Sequence, residues 1–239
     1  MREPTPINPS RLIAIGDIHG HAKALRRLLE QIQPNPADTI VTLGDCVNRG
    51  PNSRDVLDCL LELQHACRLI SILGNHDEMM LDSRNDRFAL ERWATEAGEE
   101  TLRSYGEPLA VSNVPKAHWD LLSSFVSFHE TDHFIFVHAN YCWYTPMDQQ
   151  PVSLLRWLSL DESKPQPHRS GKIVILGHTP GPIRDFGHHR CIDTGCGFGG
   201  LLTAMEVHTR QCWQVTESGE AVADDSAEFS LGTVVPLEP

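Results

Sequence analysis

Short apolar runs alternate along this chain with longer stretches in which apolar residues return every three or four positions. Arg11-Leu12-Ile13-Ala14-Ile15 reads as a buried strand that delivers Gly16-Asp17 to a loop. From His21 to Ile32, Ala22, Leu25, Leu28, Leu29 and Ile32 share one helical face, and Pro34 and Pro36 close the element. The pattern then repeats. Thr39-Ile40-Val41-Thr42-Leu43 runs into Gly44-Asp45, and Ser53 to Gln64 forms a second amphipathic helix, with Asn52 or Ser53 as its N-cap. A third strand, Arg68 to Leu73, ends in Gly74-Asn75-His76-Asp77.

Residues 78–125 keep helical periodicity and read as a helical insertion in which Phe88, Leu90, Trp93 and Leu102 could cover a cleft. Strands resume at His133 to Val137, which leads into His138, and at Lys172 to Leu176, which leads into Gly177-His178. Three short segments follow, Arg190 to Asp193, Leu201 to His208 and Gln211 to Val215, and their close spacing predicts antiparallel pairing. Strands alternating with helices define an α/β protein, whose ligands sit in the crevice outside the carboxyl ends of the strands. We expect a single domain over residues 1–215 and an acidic C-terminal tail over 216–239.

Composition narrows the partners. Of 239 residues, 20 are Lys or Arg and 32 are Asp or Glu, a net charge of −12, with no basic run. That balance argues against gripping nucleic acid by its phosphates and against an anionic membrane surface. No apolar stretch approaches the ~18 residues of a spanning helix. The opening Met1 to Ser10 shows no export signal, so a cytoplasmic protein is expected. Seven cysteines without a CxxC pair read as small buried hydrophobes rather than as a disulfide framework.

Histidine is abundant, at 13 residues, and four of them fall at predicted strand ends. Asp17 and His19 follow the first strand, Asp45 the second, Asn75, His76 and Asp77 the third, His138 the fourth and His178 the fifth. Carboxylate, imidazole and amide oxygen together suit first-row divalent metals, whereas an all-oxygen set would suit calcium or magnesium. Two ions roughly 3.5–4 Å apart could clamp the attacking and leaving oxygens of a phosphoryl displacement. Asp77 follows His76 and reads as a cap of the helix that begins there. His65, His118, His168 and the pair His188-His189 read as surface or turn positions.

Gly16-Asp17-Ile18-His19-Gly20, Gly44-Asp45-Cys46-Val47-Asn48-Arg49-Gly50, Gly74-Asn75-His76-Asp77, Val137-His138-Ala139 and Gly177-His178-Thr179 resemble, in order and spacing, the calcineurin-like metallophosphoesterases. Within that superfamily the chain is similar to the phosphoprotein phosphatase group, which includes bacterial serine/threonine phosphatases and symmetrical diadenosine tetraphosphate hydrolases. The resemblance covers about Leu12 to Val207. It implies a sandwich of mixed β-sheets flanked by helices and two divalent metal ions, manganese first and iron, zinc or nickel as alternatives. Asp17 and His19 would then hold one ion, Asp45 would bridge both, and Asn75, His138 and His178 would hold the other. A hydroxide activated by the metals would attack phosphorus in line. Arg49 and Asn75 would bind the phosphate, and His76 would be the general acid for the leaving alkoxide.

One position departs from the family pattern. Asn48 stands where an Asp usually orients and charges the histidine matching His76. The Asn48 amide oxygen would still accept the ring N–H but could not stabilise an imidazolium, which favours good leaving groups or a slightly acidic optimum. Arg156, in Ser153-Leu154-Leu155-Arg156-Trp157, is the nearest candidate for a second phosphate clamp, although it precedes the Trp rather than following it. The expected substrates are phosphomonoesters, phosphoserine and phosphothreonine in proteins first, or another small phosphoester. Dinucleoside polyphosphates are the alternative, and a turnover-impaired phosphate-binding module is the third reading. The sequence leaves the oligomeric state open.

Overall fold

The computed structural model describes residues 10–222 and 230–231, so the ends of the chain, including part of the acidic tail, lie outside the described residues. Two mixed sheets face each other. The first is built from β1 (Leu12–Ile15), β2 (Thr39–Thr42), β3 (Arg68–Ser71), β9 (Leu201–Glu206) and β10 (Cys212–Thr216), in the order β10-β9-β1-β2-β3. The second contains β4 (Phe128–Glu130), β5 (Phe134–Val137), β6 (Ile173–Leu176), β7 (Arg184–Asp185), β8 (His189–Cys191) and β11 (Ser230–Leu231), in the order β11-β7-β8-β6-β5-β4. The neighbouring strands β1, β2 and β3 are mutually parallel, as are β5, β6 and β8, so each sheet sends several strand ends towards one edge.

Side-chain alternation along each strand assigns the layers. Ile13 and Ile15 point to the helices while Ala14 points to the other sheet. In β5, Phe134 and Phe136 point inward and Ile135 and Val137 outward. The inter-sheet layer thus joins Ala14, Val41, Leu43 and Ile72 to Phe134, Phe136, Ile175 and Ile192. Over the first sheet lie α1 (Ala22–Ile32) and α2 (Ser53–Ala66), whose Leu25, Leu28, Val56, Leu57 and Leu60 are buried at helical spacing. The region 78–125 is helical: α3 (Asn75–Ser83), α4 (Arg87–Trp93), a π-helical turn at Ala94–Gly98, α5 (Glu99–Ser104) and α6 (Lys116–Ser123). A short α7 (Val152–Trp157) flanks β5 on the other side.

Two details differ from the sequence expectation. The predicted trio of antiparallel strands is divided, since β9 and β10 pair antiparallel while β8 joins the second sheet parallel to β6. A parallel return needs a crossover, which residues 177–188, carrying the short β7, provide. His118, His168 and His189 are buried rather than surface residues. His118 lies between the Tyr105 hydroxyl and Asp58, and His168 between Ser170 and the Thr145 carbonyl, so their polar atoms are satisfied inside. His208 packs edge-on against Phe134 at the start of β5, the end of that strand away from the strand-end cluster.

His189 stacks on Phe186 with its Nδ1 unpartnered, and burial followed by the neighbouring His188 pushes its pKa from 6.5 down to about 3. Between those values the unfolded chain binds the proton more readily, so this ring subtracts stability as the pH falls below 6.5. His189→Phe is expected to gain melting temperature on the wild type as pH falls from 7 to 5. Thermal unfolding at both values checks this; an unchanged difference contradicts it.

Candidate active site at the strand ends

Every predicted ligand lies at the edge where the parallel strands end. The loop after β1 docks on the loop after β2, with the Ile18 and His19 amides both donating to the Asp45 carbonyl, at 3.1 and 2.8 Å. His19, Asp45, Asn48, Arg49 and His178 all have positive φ, between 46° and 71°, a conformation that costs non-glycine residues energy. Such strain persists only where the surroundings over-determine it. Gly74 contributes to that packing: a Cβ there would collide with the carboxylate and amide of Asp45.

Asp45 sits at the centre. One carboxylate oxygen lies 3.5 Å from His19 Nε2 and the other 3.5 Å from His138 Nε2, so one side chain faces two groups of ligand atoms. Its Oδ1 also accepts the His76 amide at the start of α3, at 3.0 Å, where the helix dipole favours negative charge. Asp77 caps the same helix as expected, accepting from the Gly74 and Cys46 amides.

The histidines are turned by their outer nitrogens. His19 Nδ1 donates to the Val47 carbonyl at 3.2 Å, His138 Nδ1 to Leu43 at 2.7 Å and His178 Nε2 to Trp157 at 3.2 Å. Each neutral ring therefore presents an unprotonated nitrogen to the cluster, the orientation that metal-ligating histidines take. His138 Nε2, His178 Nδ1 and Asn75 Oδ1 converge with pairwise separations of 3.1, 3.1 and 3.2 Å. Three lone pairs meeting without a hydrogen among them repel one another, and a cation is what such a set fits. Asp17 stands at the rim, both its oxygens 3.1 Å from the His178 amide.

Charge supports this. Burial, then Asp193 and Asp45, push Asp17 well above the ordinary carboxylate range. Burial also raises Asp193, to about 6, and lowers His19 to about 3 and His178 to about 4. Burial opposes ionisation of Asp45 too, but His138, His76 and His19 around it outweigh that and hold it ionised. Neutral imidazoles and crowded carboxylates form a donor set that a divalent cation would relieve.

His76 lies against the same cluster, with a ring nitrogen within 4.8 Å of ligand atoms of His19 and Asp45, but it is held differently. Both its ring nitrogens are engaged, Nδ1 with Asn48 Nδ2 at 2.8 Å and Nε2 with Arg49 Nη2 at 3.2 Å. The Asn48 contact is the reverse of the expectation. Asn48 Oδ1 accepts from Trp93 Nε1 and from the Thr101 hydroxyl, so the amide nitrogen, and not the oxygen, faces His76. Arg49 is exposed and its guanidinium lies 3.9 Å from the ring centroid of Phe198, itself 61% exposed. Arg156 is no free clamp: it pairs with Glu78 and donates to Ser127. The sequence reading set Trp93 on a cleft wall without a part in the site, and it left out Thr101 and Phe198, of which only the Gly-flanked Phe198 gave a local signal.

Two facing mixed sheets whose parallel strands end in a cation-shaped set of imidazoles, carboxylates and an amide define a metallohydrolase architecture. The comparisons agree. Residues 10–201 match the calcineurin-like phosphoesterase family, and the chain belongs to that family. It is 31% identical over 203 residues to serine/threonine-protein phosphatase 1 of Salmonella typhimurium, covering 81% of this chain and 90% of that one. It is 27% identical over 267 residues to a symmetrical bis(5'-nucleosyl)-tetraphosphatase of Methylococcus capsulatus, covering 82% and 91%. A crystal structure described as a diadenosine tetraphosphatase superposes with a TM-score of 0.68 at 24% identity, covering 88% of this chain and 95% of that one.

Because Asp45, alone among the described residues, faces both groups of ligand atoms, Asp45→Asn is expected to lower bound manganese by more than one equivalent per chain. Metal analysis after dialysis checks this; wild-type metal content in the variant contradicts it.

Proposed function

We propose that this chain is a dinuclear, metal-dependent phosphatase for phosphomonoesters carried by proteins, with phosphoserine and phosphothreonine as the leading class. The observation that carries the reading is the pair of 3.5 Å approaches to opposite oxygens of Asp45, which suits a carboxylate bridging two ions. Asp17 and His19 would hold one ion, and Asn75, His138 and His178 the other. Bound manganese, iron, zinc or nickel would polarise the phosphoryl group and make water acidic enough to attack near neutral pH.

The chain's own groups supply orientation. The planar fork of Arg49 grips phosphoryl oxygens and counters the charge that grows in the transition state. With Asn75 Oδ1 turned to the two histidines, its amide N–H₂ is left for a phosphate oxygen. His76 Nε2, beside Arg49, faces the cleft where the leaving oxygen departs.

Cleft chemistry favours a protein substrate. A cavity of about 420 Å³ opens beside His76 and Arg49, walled by residues of the π-helical turn and α5. Its lining carries one cation, Arg49, against Glu96, Glu99 and Glu100, of which the last two pair with Arg103. A polyphosphate chain would be repelled there, whereas a single phosphate on a neutral or basic peptide would not. The full-length likeness to a symmetrical tetraphosphatase favours the second reading, hydrolysis of dinucleoside polyphosphates. Nucleic acid and membrane play no part in our reading, and we place the protein in the cytoplasm; no helix among the described residues is long and apolar enough to cross a membrane.

With manganese present, a phosphothreonine peptide is expected to release phosphate with a higher kcat/KM than diadenosine tetraphosphate is cleaved. The reverse order would transfer the assignment to the second reading. No turnover of either substrate or of p-nitrophenyl phosphate would leave a phosphate-binding module.

A further inference from the structure

Asn48 is wholly buried, and its amide has one orientation open to it. The indole N–H of Trp93 can only donate, and it reaches Asn48 Oδ1 at 3.1 Å while the Thr101 hydroxyl donates to the same oxygen at 2.9 Å. Turning the amide over would set its NH₂ against the buried indole N–H, at a cost of about 1–3 kcal/mol for each donor left unpaired. The Asn48 NH₂ therefore points at His76 Nδ1, 2.8 Å away, and that nitrogen accepts. On the neutral ring the hydrogen is then on Nε2.

This creates a conflict on the other side of the ring. Arg49 Nη2 lies 3.2 Å from His76 Nε2, so two donors stand side by side. The Asn48 contact is shorter, sealed from water and backed by Trp93 and Thr101; Arg49 is exposed and stacked on an exposed phenyl ring, so Arg49 yields. Adjacent N–H groups facing the cleft call for one anionic oxygen between them.

We propose that Trp93 is a positioning residue which, through Asn48, locks His76 as an Nε2–H donor, so that the site cleaves phosphomonoesters of phenolic hydroxyls faster than alkyl ones. This ranks intrinsic leaving-group reactivity and rests on the phosphatase reading above; it leaves phosphoserine and phosphothreonine as the leading protein substrates and makes a phosphotyrosine peptide the probe of the lock. A water oxygen forms the new bond to phosphorus and its proton passes to solvent. The bond from phosphorus to the leaving oxygen breaks, with its electron pair going to that oxygen. The oxygen accepts a hydrogen bond from His76 Nε2–H and takes its proton from solvent, because loss of the Nε2 hydrogen would leave an imidazolate. A phenolate, whose conjugate acid has a pKa of about 10, tolerates such a departure far better than an alkoxide.

Long-range ¹H–¹⁵N spectra of the zinc-loaded, ¹⁵N-histidine-labelled full chain test the lock, with His76 assigned by the signals lost in His76→Gln. The wild type is expected to show protonated Nε2 and bare Nδ1. Asn48→Asp, whose carboxylate can only accept, is expected to reverse the pattern, and Trp93→Phe to populate the Nδ1–H form. A phosphotyrosine peptide is expected to exceed its phosphoserine counterpart in kcat/KM by on the order of 10²-fold, a gap that narrows in Asn48→Asp. An Nδ1–H wild type, or an Asn48→Asp variant with unchanged spectra, overturns the lock. Equal rates on the two peptides overturn the ranking. Absence of turnover on any phosphoester removes the phosphatase reading and the ranking together, while the spectra still decide the lock. Should Trp93→Phe fail to fold, Asn48→Asp carries the same comparison.

Discussion

Lone pairs brought together without protons are the constraint around which this molecule is arranged. His138 Nε2, His178 Nδ1 and Asn75 Oδ1 meet at hydrogen-bond distance although each is turned to accept. Backbone carbonyls of Leu43 and Trp157 hold the two rings in that orientation, so the arrangement is imposed by the loops and not chosen by the side chains. Left alone, such a set repels itself and loses hydration as well. A divalent cation turns both penalties into attraction, which is how a net charge of −12 coexists with a site for an anionic substrate.

The fold supplies that convergence from two sheets. His138 and His178 come from the second sheet, Asp17, Asp45 and Asn75 from the first, and the inter-sheet layer of Val41, Leu43, Phe136 and Ile175 fixes their relative positions. Left-handed backbone at His19, Asp45, Asn48, Arg49 and His178 is the local cost. The docking of the loop after β1 on the Asp45 carbonyl, and the α3 amide on the Asp45 carboxylate, hold those conformations in place. Asp45 thus couples structure and chemistry, since moving it disturbs two loops, a helix start and both groups of ligand atoms.

Strand ends were legible because a short apolar run followed by Gly-Asp, Gly-Asn-His or Gly-His is a local pattern, needing only a few adjacent residues. The alternation of strands and helices was legible for the same reason, and the family resemblance supplied the two-sheet sandwich. What could not be read depends on contacts distant in sequence. The Trp93 indole meets Asn48 from 45 positions away and Thr101 meets it from 53, so the direction of the Asn48 amide was invisible, and the expectation placed the wrong atom against His76. His118 and His168 looked like surface residues because the partners that hold them inside, Tyr105 and Asp58 for the one and Thr145 for the other, lie 13, 60 and 23 positions away in sequence. The placement of β8 in the second sheet likewise depends on a crossover, which short-range spacing does not encode.

We propose above that the strand-end cluster holds two ions on either side of Asp45. Anomalous diffraction at the manganese edge, from crystals of the full chain grown with manganese, addresses it directly. Two peaks are expected roughly 3.5–4 Å apart, one beside Asp17 and His19 and one among Asn75, His138 and His178, each in contact with Asp45. A single peak, or peaks away from Asp45, would contradict it.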